Sequence, residues 1–255
     1  MIQIIKECQK DRISLERLGK FRNVSGNEQP PDYKNKVVLK PWGYEYLVFE
    51  NTHVAVWFLH IKEGHSTSMH CHTLKKTSLI ILSGKALCNT FKHRYYLEGI
   101  DAIILDKAVF HSTKALSSNG IDVLEIEKPP NKTDLIRLED EYGRESCGYE
   151  GLTEMRTENL EEFNYFNFEL KEEKNNHFYK SPCFQISIET FSNNCHSTAK
   201  IQKEALYCVC EGRITNSEGN IILDTGDVGQ GNILRTGDNV VFEKEPLLLE
   251  VAPNI

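Results

Sequence analysis

The sequence has no excess of basic residues. Its 255 residues include 30 Lys and Arg against 37 Asp and Glu, which gives a formal net charge of −7. No segment collects Lys and Arg into a dense stripe, as proteins that bind nucleic acid or an anionic membrane surface normally do. The charge pattern therefore predicts neither nucleic acid nor a membrane as a partner.

Long hydrophobic runs are also missing. Apolar runs such as residues 78–82 and 102–105 are far shorter than the ~20 residues of a membrane-spanning helix. The apolar start of the chain is interrupted by Lys6 and Glu7, which come too early for the core of a signal peptide. We therefore expect a cytoplasmic protein.

The cysteines show no spacing that indicates a disulfide framework or a zinc knuckle. All eight are scattered over a chain long enough to bury a core, and such cysteines are usually reduced thiols. Cys208 and Cys210 share one face of a predicted strand, but a zinc knuckle needs a second close pair. Reduced thiols are expected.

Short β-type runs dominate what is present, separated by Gly, Asn and Ser turns, a pattern typical of an all-β sandwich or barrel. The predicted strands are residues 37–39, 44–49, 54–61, 77–82, 102–105, 121–126, 184–191, 205–210, 221–223 and 247–251.

The chain divides into four predicted parts. We assign residues 1–33 to an N-terminal helical segment, which ends in a turn at 25–32. Two β domains follow at 34–130 and 176–255, and a charged connector at 131–175 joins them.

The two β domains resemble each other in sequence. Gly84 and Gly212 each end a predicted strand, and Asp101 and Asp227 each open one. Residues 124–129 (LEIEKP) near the end of the first domain are also similar to residues 249–253 (LEVAP) near the end of the second. An offset of about 126 to 128 residues is too long for a solenoid repeat and suits a duplicated β-barrel.

Three histidines are the strongest indication of chemistry. His70 and His72 alternate along an extended strand, so both imidazoles point to one face. His111 begins a later β run and can reach the same point across a barrel. Three imidazoles suit Zn, Fe, Ni or Cu better than Mg or Ca, which prefer oxygen ligands. The pattern predicts a metal site, with polar barrel-lining histidines as the alternative.

This spacing resembles the cupin superfamily, whose first motif is G-x5-HxH-x4-E-x6-G. The matching residues are Gly64, His70, His72 and Gly84 in the first motif, and Asp101 and His111 in the second. Thr77 stands where the motif has its metal-binding Glu, and positions 100, 106, 108 and 115 also depart from the second motif. The resemblance implies a double-stranded β-helix, present twice as a bicupin.

Both flanks of the first barrel resemble a narrower family, the cupin domain of type II phosphomannose isomerases. Residues 40–44 (KPWGY) are similar to the motif that opens this domain, and residues 134–144 (DLIRLEDEYGR) are similar to the one that closes it. The resemblance covers about residues 36 to 145. It implies isomerase chemistry on a sugar phosphate.

The metal ligands implied by that family are Gln, His, Glu and His. The matching positions of this chain hold His70, His72, Thr77 and His111. A three-histidine set without a carboxylate also resembles the Fe(II) site of thiol-dioxygenase-like cupins. The corresponding positions of the second half hold Thr198, Lys200, Ala205 and Gly237. We expect no metal there and a degenerate second barrel.

Five further residues are candidates for catalysis or substrate binding. His65 and Tyr142 are candidate proton-transfer groups, with packing as the alternative for the tyrosine ring. Arg137 and Arg144 can clamp a phosphate or carboxylate, or can pair with neighbouring acids to hold the connector. Lys75 can bind an anionic substrate group or lie on a solvated face.

These features favour a metal-dependent isomerase or epimerase of a sugar or sugar phosphate, in carbohydrate or surface-polysaccharide metabolism. Zn is the metal expected first, with Fe, Ni or Mn as alternatives. The competing hypotheses are a three-histidine Fe(II) oxygenase and a non-catalytic cupin that binds a sugar or metabolite. Cupins similar to this one commonly form dimers, so we expect a homodimer.

Overall fold

The computed structural model shows an all-β chain with a short N-terminal helix, as predicted. It describes residues 1–19, 31–145, 149, 152–169, 178–193, 199–235 and 240–254. The predicted turn at 25–32 lies largely outside the described residues, and Cys147, Cys195, Thr198 and Gly237 lie wholly outside them. Neither helix in the described ranges has the length and apolar content needed to cross a membrane.

The elements of the first half are β1 (Ile2–Ile5), α1 (Gln9–Gly19), β2 (Val37–Lys40), β3 (Gly43–Glu50), β4 (Ala55–Ile61), β5 (Met69–Cys71), β6 (Lys76–Ser83), β7 (Lys85–Thr90), β8 (Arg94–Glu98), β9 (Ala102–Leu105), β10 (His111–Ala115), β11 (Ile121–Lys128) and β12 (Ile136–Glu139). The connector contains 3-10 turns at Leu152–Glu154 and Leu160–Phe163, and strand β13 (Met155–Arg156). The second half contains β14 (Phe178–Lys180), β15 (Phe184–Thr190), β16 (Leu206–Asn216), β17 (Ile221–Asp224), β18 (Val228–Gln230), α2 (Gly231–Arg235) and β19 (Val240–Pro253).

Two facing sheets form the first half and give it the architecture of a double-stranded β-helix. One sheet has the strand order β1-β9-β6-β11-β4-β3-β2-β13, and the other has the order β12-β5-β10-β7-β8. Buried side chains from both sheets, among them Trp57, Ile81, Ala86 and Leu97, pack into one core. This core fills the barrel and forms the floor on which the candidate site is built.

The eight-stranded sheet is buried on both faces. Leu59 and Ile81 face the barrel core, whereas their neighbours Phe58 and Ile80 face a second core shared with the sheet of the second half. A strand buried on both faces is apolar at consecutive positions instead of alternate ones. This explains the uninterrupted apolar run in β6.

The N-terminal segment contains a strand as well as the predicted helix. β1 pairs in parallel with the free edge of β9, and helix α1 follows it. Leu15 and Leu18 of the helix pack against Cys71 and Phe110. The buried Asp11 carboxylate accepts a hydrogen bond from the Phe110 N–H at 2.8 Å. The helix therefore supports the two strands that carry the histidines.

The second half repeats the strand pairing of the first. The neighbours in β14-β15-β19-β16-β18 correspond to those in β3-β4-β11-β6-β9. The turns before β9 and β18 contain equivalent hydrogen bonds. The Ile100 N–H donates to the Ile81 carbonyl and the Gly226 N–H donates to the Val209 carbonyl, each at 2.7 Å. Unlike the first half, the described residues of the second half form one six-stranded sheet, in which β16 and β19 continue through bulges.

Polar contacts join the two halves at the edge of their shared core. Lys76 Nζ lies 2.6 Å from Asp227 Oδ1, and the Asn51 amide donates to the Cys210 carbonyl at 3.1 Å. Leu249 of β19 is fully buried in the shared core. The halves therefore stabilise each other through one apolar interface.

We expect a cavity that is created by substitution in the second half to destabilise the first half as well. Leu249→Ala should lower the free energy of unfolding by about 2–5 kcal/mol. It should also shift the transition reported by the fluorescence of Trp42 and Trp57, the only tryptophans of the chain, both in the first half. Ile221→Ala, at an exposed position of β17, is the control and should cause no shift. An unshifted transition in Leu249→Ala would show that the halves unfold independently.

Candidate metal centre

Strand pairing brings the three histidines together. β5 lies beside β10, and their register places His70 directly opposite His111. His72 follows His70 by two residues and returns to the same face, while Cys71 between them points into the core beneath α1. The imidazole centroids are 4.4 to 5.6 Å apart. One ligand nitrogen of each histidine lies within 4.8 Å of the other two.

Backbone carbonyls determine which nitrogen each imidazole presents. The Nδ1–H groups donate from His70 to Ser68 at 2.8 Å, from His111 to Val109 at 3.0 Å, and from His72 to Asp134. Because a carbonyl oxygen only accepts, each Nδ1 carries the proton and each Nε2 keeps its lone pair. The Nε2 of His72 is buried, with no hydrogen-bond partner among the described residues. A transition-metal ion with imidazole ligands fits these residues.

Burial keeps the three imidazoles neutral. Desolvation lowers the pKa of His70 and His72 well below its ordinary value, and lowers the pKa of His111 to about 4. The positive charge of Lys75 lowers all three pKa values further. Since only the neutral imidazole binds a metal, the cluster is in its binding form at neutral pH.

Asp134 holds the turn that follows His72. Its carboxylate accepts hydrogen bonds from the backbone N–H groups of Thr73, Leu74 and Lys75 at 2.8 to 3.0 Å. Its carbonyl oxygen also accepts the Nδ1–H of His72. This role of Asp134 was not predicted beyond its place in the closing motif, because its partners lie about 60 residues earlier in the chain.

Thr77 stands at the position of the motif's metal-binding Glu, and a carboxylate is present on the neighbouring strand. Thr77 on β6 lies opposite Glu127 on β11, and the Glu127 side chain is fully buried. Glu127 Oε1 is 2.7 Å from Lys75 Nζ and 3.2 Å from Lys132 Nζ. Lys75 is 1% exposed, which excludes the alternative that it lies on a solvated face.

A buried network of lysines and glutamates forms a wall beside the histidines. Lys132 Nζ lies 3.3 Å from Glu45, 3.2 Å from Glu127 and 3.9 Å from Glu125. Lys40 lies 3.3 Å from Glu45. Burial would lower the pKa of Lys132, but the three carboxylates outweigh it and raise the pKa. Lys132 therefore stays protonated. Nothing in its sequence surroundings distinguished it from the other connector charges.

The two glutamates of β11 have opposite pKa shifts. Burial opposes ionisation of both. Lys132 and Lys75 outweigh that effect at Glu127 and lower its pKa. At Glu125, burial together with the charge of Glu127 outweighs Lys132 and raises the pKa. The network therefore contains one firmly ionised acid and one that holds its proton more tightly.

A cavity opens between the histidines and this wall. Its charged lining residues in the described ranges include Lys40, Glu45, Lys75, Glu125, Lys132 and Arg137. Glu125 also lines a smaller recess that contains His70 and His111. Glu125 was not predicted as a site residue. The sequence signal that could have indicated it is the pair of acids, Glu125 and Glu127, at alternate positions of an otherwise apolar strand.

Arg137 and Arg144 both line this cavity. Arg137 is buried and lies opposite His70 in the pairing of β12 with β5. Arg144 donates two hydrogen bonds to the Asp140 carboxylate, at 3.0 Å from Nε and 2.7 Å from the terminal nitrogen. Arg144 thus makes the pairing with a neighbouring acid that was the alternative to substrate binding, while its side chain still reaches the cavity.

His65 and Tyr142 are not among the described residues that line the cavity or the recess. Their rings stack with centroids 6.4 Å apart, and the Tyr142 hydroxyl donates to the Ser66 carbonyl at 3.3 Å. These contacts agree with the packing alternative for Tyr142. A proton-transfer role for either residue stays a prediction.

Comparison with known proteins gives only distant structural similarity. The chain resembles the capsular polysaccharide assembling protein CapF from Staphylococcus aureus with a TM-score of 0.38 and 17% identity, over 41% of this chain and 34% of that one. It resembles an RmlC-like cupin from Shewanella frigidimarina with a TM-score of 0.34 and 12% identity, over 44% and 94%. It resembles a sugar phosphate isomerase of the cupin superfamily from Silicibacter pomeroyi with a TM-score of 0.34 and 8% identity, over 42% and 67%.

No protein-family model and no curated protein matches the chain. The match to CapF spans about a third of that protein's length. Similarity at this level assigns no activity, so function is inferred below from the residues of this chain.

The lowered pKa values of the histidines predict acid destabilisation of the metal-free protein. In the unfolded chain these groups titrate near 6.5 and bind more protons, so stability falls as the pH drops from 6.5 toward about 4. His111→Gln should remove up to about 3 kcal/mol of this pH dependence, measured by urea unfolding at several pH values with a chelator present. His53→Gln, at an exposed position outside the cluster, is the control. The same pH dependence in both variants would contradict the prediction.

Loss of the Asp134 carboxylate should weaken metal binding. Asp134→Ala frees the turn that carries His72, and loss of such a supporting contact typically costs about 10- to 100-fold in affinity. Competition with a chromophoric chelator measures the effect. Asp140→Ala removes a connector acid that pairs with Arg144 and should leave the affinity unchanged. Equal affinities in the two variants would show that Asp134 does not position His72.

Proposed function

We propose that this protein is a metal-dependent isomerase or epimerase of a sugar or sugar phosphate, in carbohydrate or surface-polysaccharide metabolism. The observation that carries the proposal is the convergence of three neutral imidazoles at a cavity with a buried charged wall. The motifs at 40–44 and 134–144 support it, because residues of both line this cavity.

The lining charges favour an anionic substrate. Among the described lining residues, the basic ones are Lys40, Lys75, Lys132, Arg137 and Arg144, whereas the acidic ones are Glu45 and Glu125. Charges at a buried site act through a lower dielectric than in water, so they attract a phosphate or carboxylate strongly. A planar guanidinium such as that of Arg137 suits either group.

His70, His72 and His111 would hold the metal. A bound divalent transition metal polarises a carbonyl or hydroxyl oxygen and stabilises the negative charge that forms on it. We propose Zn first, with Fe, Ni or Mn as alternatives. The fixed Nδ1 hydrogen bonds keep the three Nε2 atoms oriented, and the ion-paired lysines keep positive charge at the wall.

An Fe(II) oxygenase is the second candidate. The observation that favours it is the composition of the cluster, since no carboxylate joins the three histidines among the residues that the structure describes. Three neutral imidazoles leave positions for O2 and substrate on an iron ion.

We infer that the second half is a degenerate second barrel. The repeated strand pairing supports this, and so do the described counterparts of His72 and Thr77. These are Lys200 and Ala205, and Lys200 pairs with Glu189 at 2.8 Å. Its proposed role is to cover the outer face of the eight-stranded sheet.

Metal analysis tests the proposed function directly. Protein purified without an affinity tag should contain near-stoichiometric Zn, Ni or Mn, and the His70→Ala/His72→Ala double variant should contain none. Turnover in a panel of sugar and sugar-phosphate isomerisation assays should be lost together with the metal. His53→Ala is the control and should keep both.

The alternatives give different results in the same experiment. Stoichiometric iron, with O2 consumed when substrate is added, would favour the oxygenase. The absence of metal from both the wild type and the double variant would contradict the proposed function and leave a non-catalytic cupin that binds a sugar or metabolite.

A further inference from the structure

Isomerisation requires a group that takes a proton from one substrate carbon and returns it to the next. The imidazoles of the cluster are unsuited, because each Nδ1–H is bound to a carbonyl and each Nε2 faces the metal position. The wall lysines are unsuited as well, because Lys75 pairs with Glu127, and Lys40 and Lys132 pair with Glu45. Two carboxylates remain among the described lining residues, Glu45 and Glu125.

Glu45 is held by three partners. Its carboxylate accepts the hydroxyl hydrogen bond of Tyr149 and lies 3.3 Å from both Lys40 and Lys132. Proton exchange with a substrate would break this arrangement. Glu125, by contrast, has Lys132 at 3.9 Å as its ion-pair partner within the described residues, and its carboxyl group shares a hydrogen bond with that of Glu127.

The Glu125 carboxyl group is open to the cavity. Glu125 lies on β11 between Trp57 of β4 and Leu79 of β6, and neither of these side chains carries a charge. Its side chain keeps 11% of its surface exposed, whereas that of Glu127 has none. Glu125 lines both the cavity that contains His72 and the recess that contains His111.

The acid of the second half that corresponds to Glu125 is held by hydrogen bonds. Glu250 corresponds to Glu125 in the strand pairing. Tyr207, which replaces Leu79, donates its hydroxyl to the Glu250 carboxylate at 2.6 Å, and Ser187 donates to its other oxygen at 3.2 Å. The first half keeps an acid at this position without these two donors.

We propose that Glu125 is the group that exchanges a proton with the substrate beside the three histidines. This inference rests on the proposed function. The carboxylate of Glu125 takes the proton from the carbon next to the substrate carbonyl. The C–H electron pair becomes the C=C bond of an enediolate, and the C=O π pair moves onto the carbonyl oxygen. The hydroxyl proton then passes between the two substrate oxygens. The carboxylic acid returns its proton to the former carbonyl carbon, where the C=C pair forms the new C–H bond while the new C=O bond forms on the other carbon, so that no oxidant or reductant is needed.

The surroundings suit this role. Glu45, Glu127, Lys75 and Lys132 are the charged groups of the wall that act on Glu125. Burial and the neighbouring Glu127 raise the pKa of Glu125 against the effect of Lys132. A general base works best when its pKa is close to the working pH.

Exchange of substrate hydrogen with solvent tests the proposal. Metal-loaded protein is incubated with a panel of sugar phosphates in D2O, and deuterium incorporation is followed by NMR. Glu125→Gln should slow incorporation by about 100-fold or more while metal content stays at the wild-type level. Glu250→Gln is the matched control and should exchange at the wild-type rate. Wild-type exchange should rise with pH through one ionisation that Glu125→Gln lacks.

The outcomes separate this inference from the proposed function. If wild-type protein exchanges no hydrogen with any sugar phosphate, the proposed function fails. The inference, which rests on that function, then fails with it. If the wild type does exchange hydrogen, the proposed function stands, and wild-type exchange rates or loss of metal in Glu125→Gln would overturn the inference alone.

Discussion

The candidate site depends on the antiparallel pairing of β5 with β10. The register sets His70 against His111, and a slip of one residue would turn one of these side chains to the opposite face. Helix α1 packs beneath this pair of strands, where Asp11 holds the Phe110 N–H. Asp134 fixes the turn on the other side. Much of the local structure therefore serves to hold one strand pair in one register.

The charged wall is costly for stability, which is why it indicates function. Removing charges from water costs free energy that ion pairing only partly returns, and apolar replacements of buried pairs are often neutral or stabilising. The second half illustrates such a replacement, since Ala252 stands at the position of Glu127. The first half keeps Lys75, Glu127 and Lys132 next to the histidines, where fixed charges can bind and orient an anionic substrate.

The eight-stranded sheet links the site to the second half. Its inner face carries the barrel core and the wall acids, and its outer face packs on the β15, β16 and β19 strands. The second half buries apolar surface that the first barrel would otherwise expose. Lys76 and Asp227 add a polar contact at the edge of this interface.

Most of the strands and the histidine pair could be predicted from the amino-acid sequence. Alternation places His70 and His72 on one face, and the apolar runs of β4, β6 and β11 follow from burial on both sides. The meeting of Lys132, Glu125 and Glu127 beside the histidines, and the strand conformation of β1, depend on the three-dimensional structure. The local pattern of apolar and polar residues predicts which face of a strand a residue occupies. The partners of a buried charge depend on strand order and register, which join residues far apart in the chain.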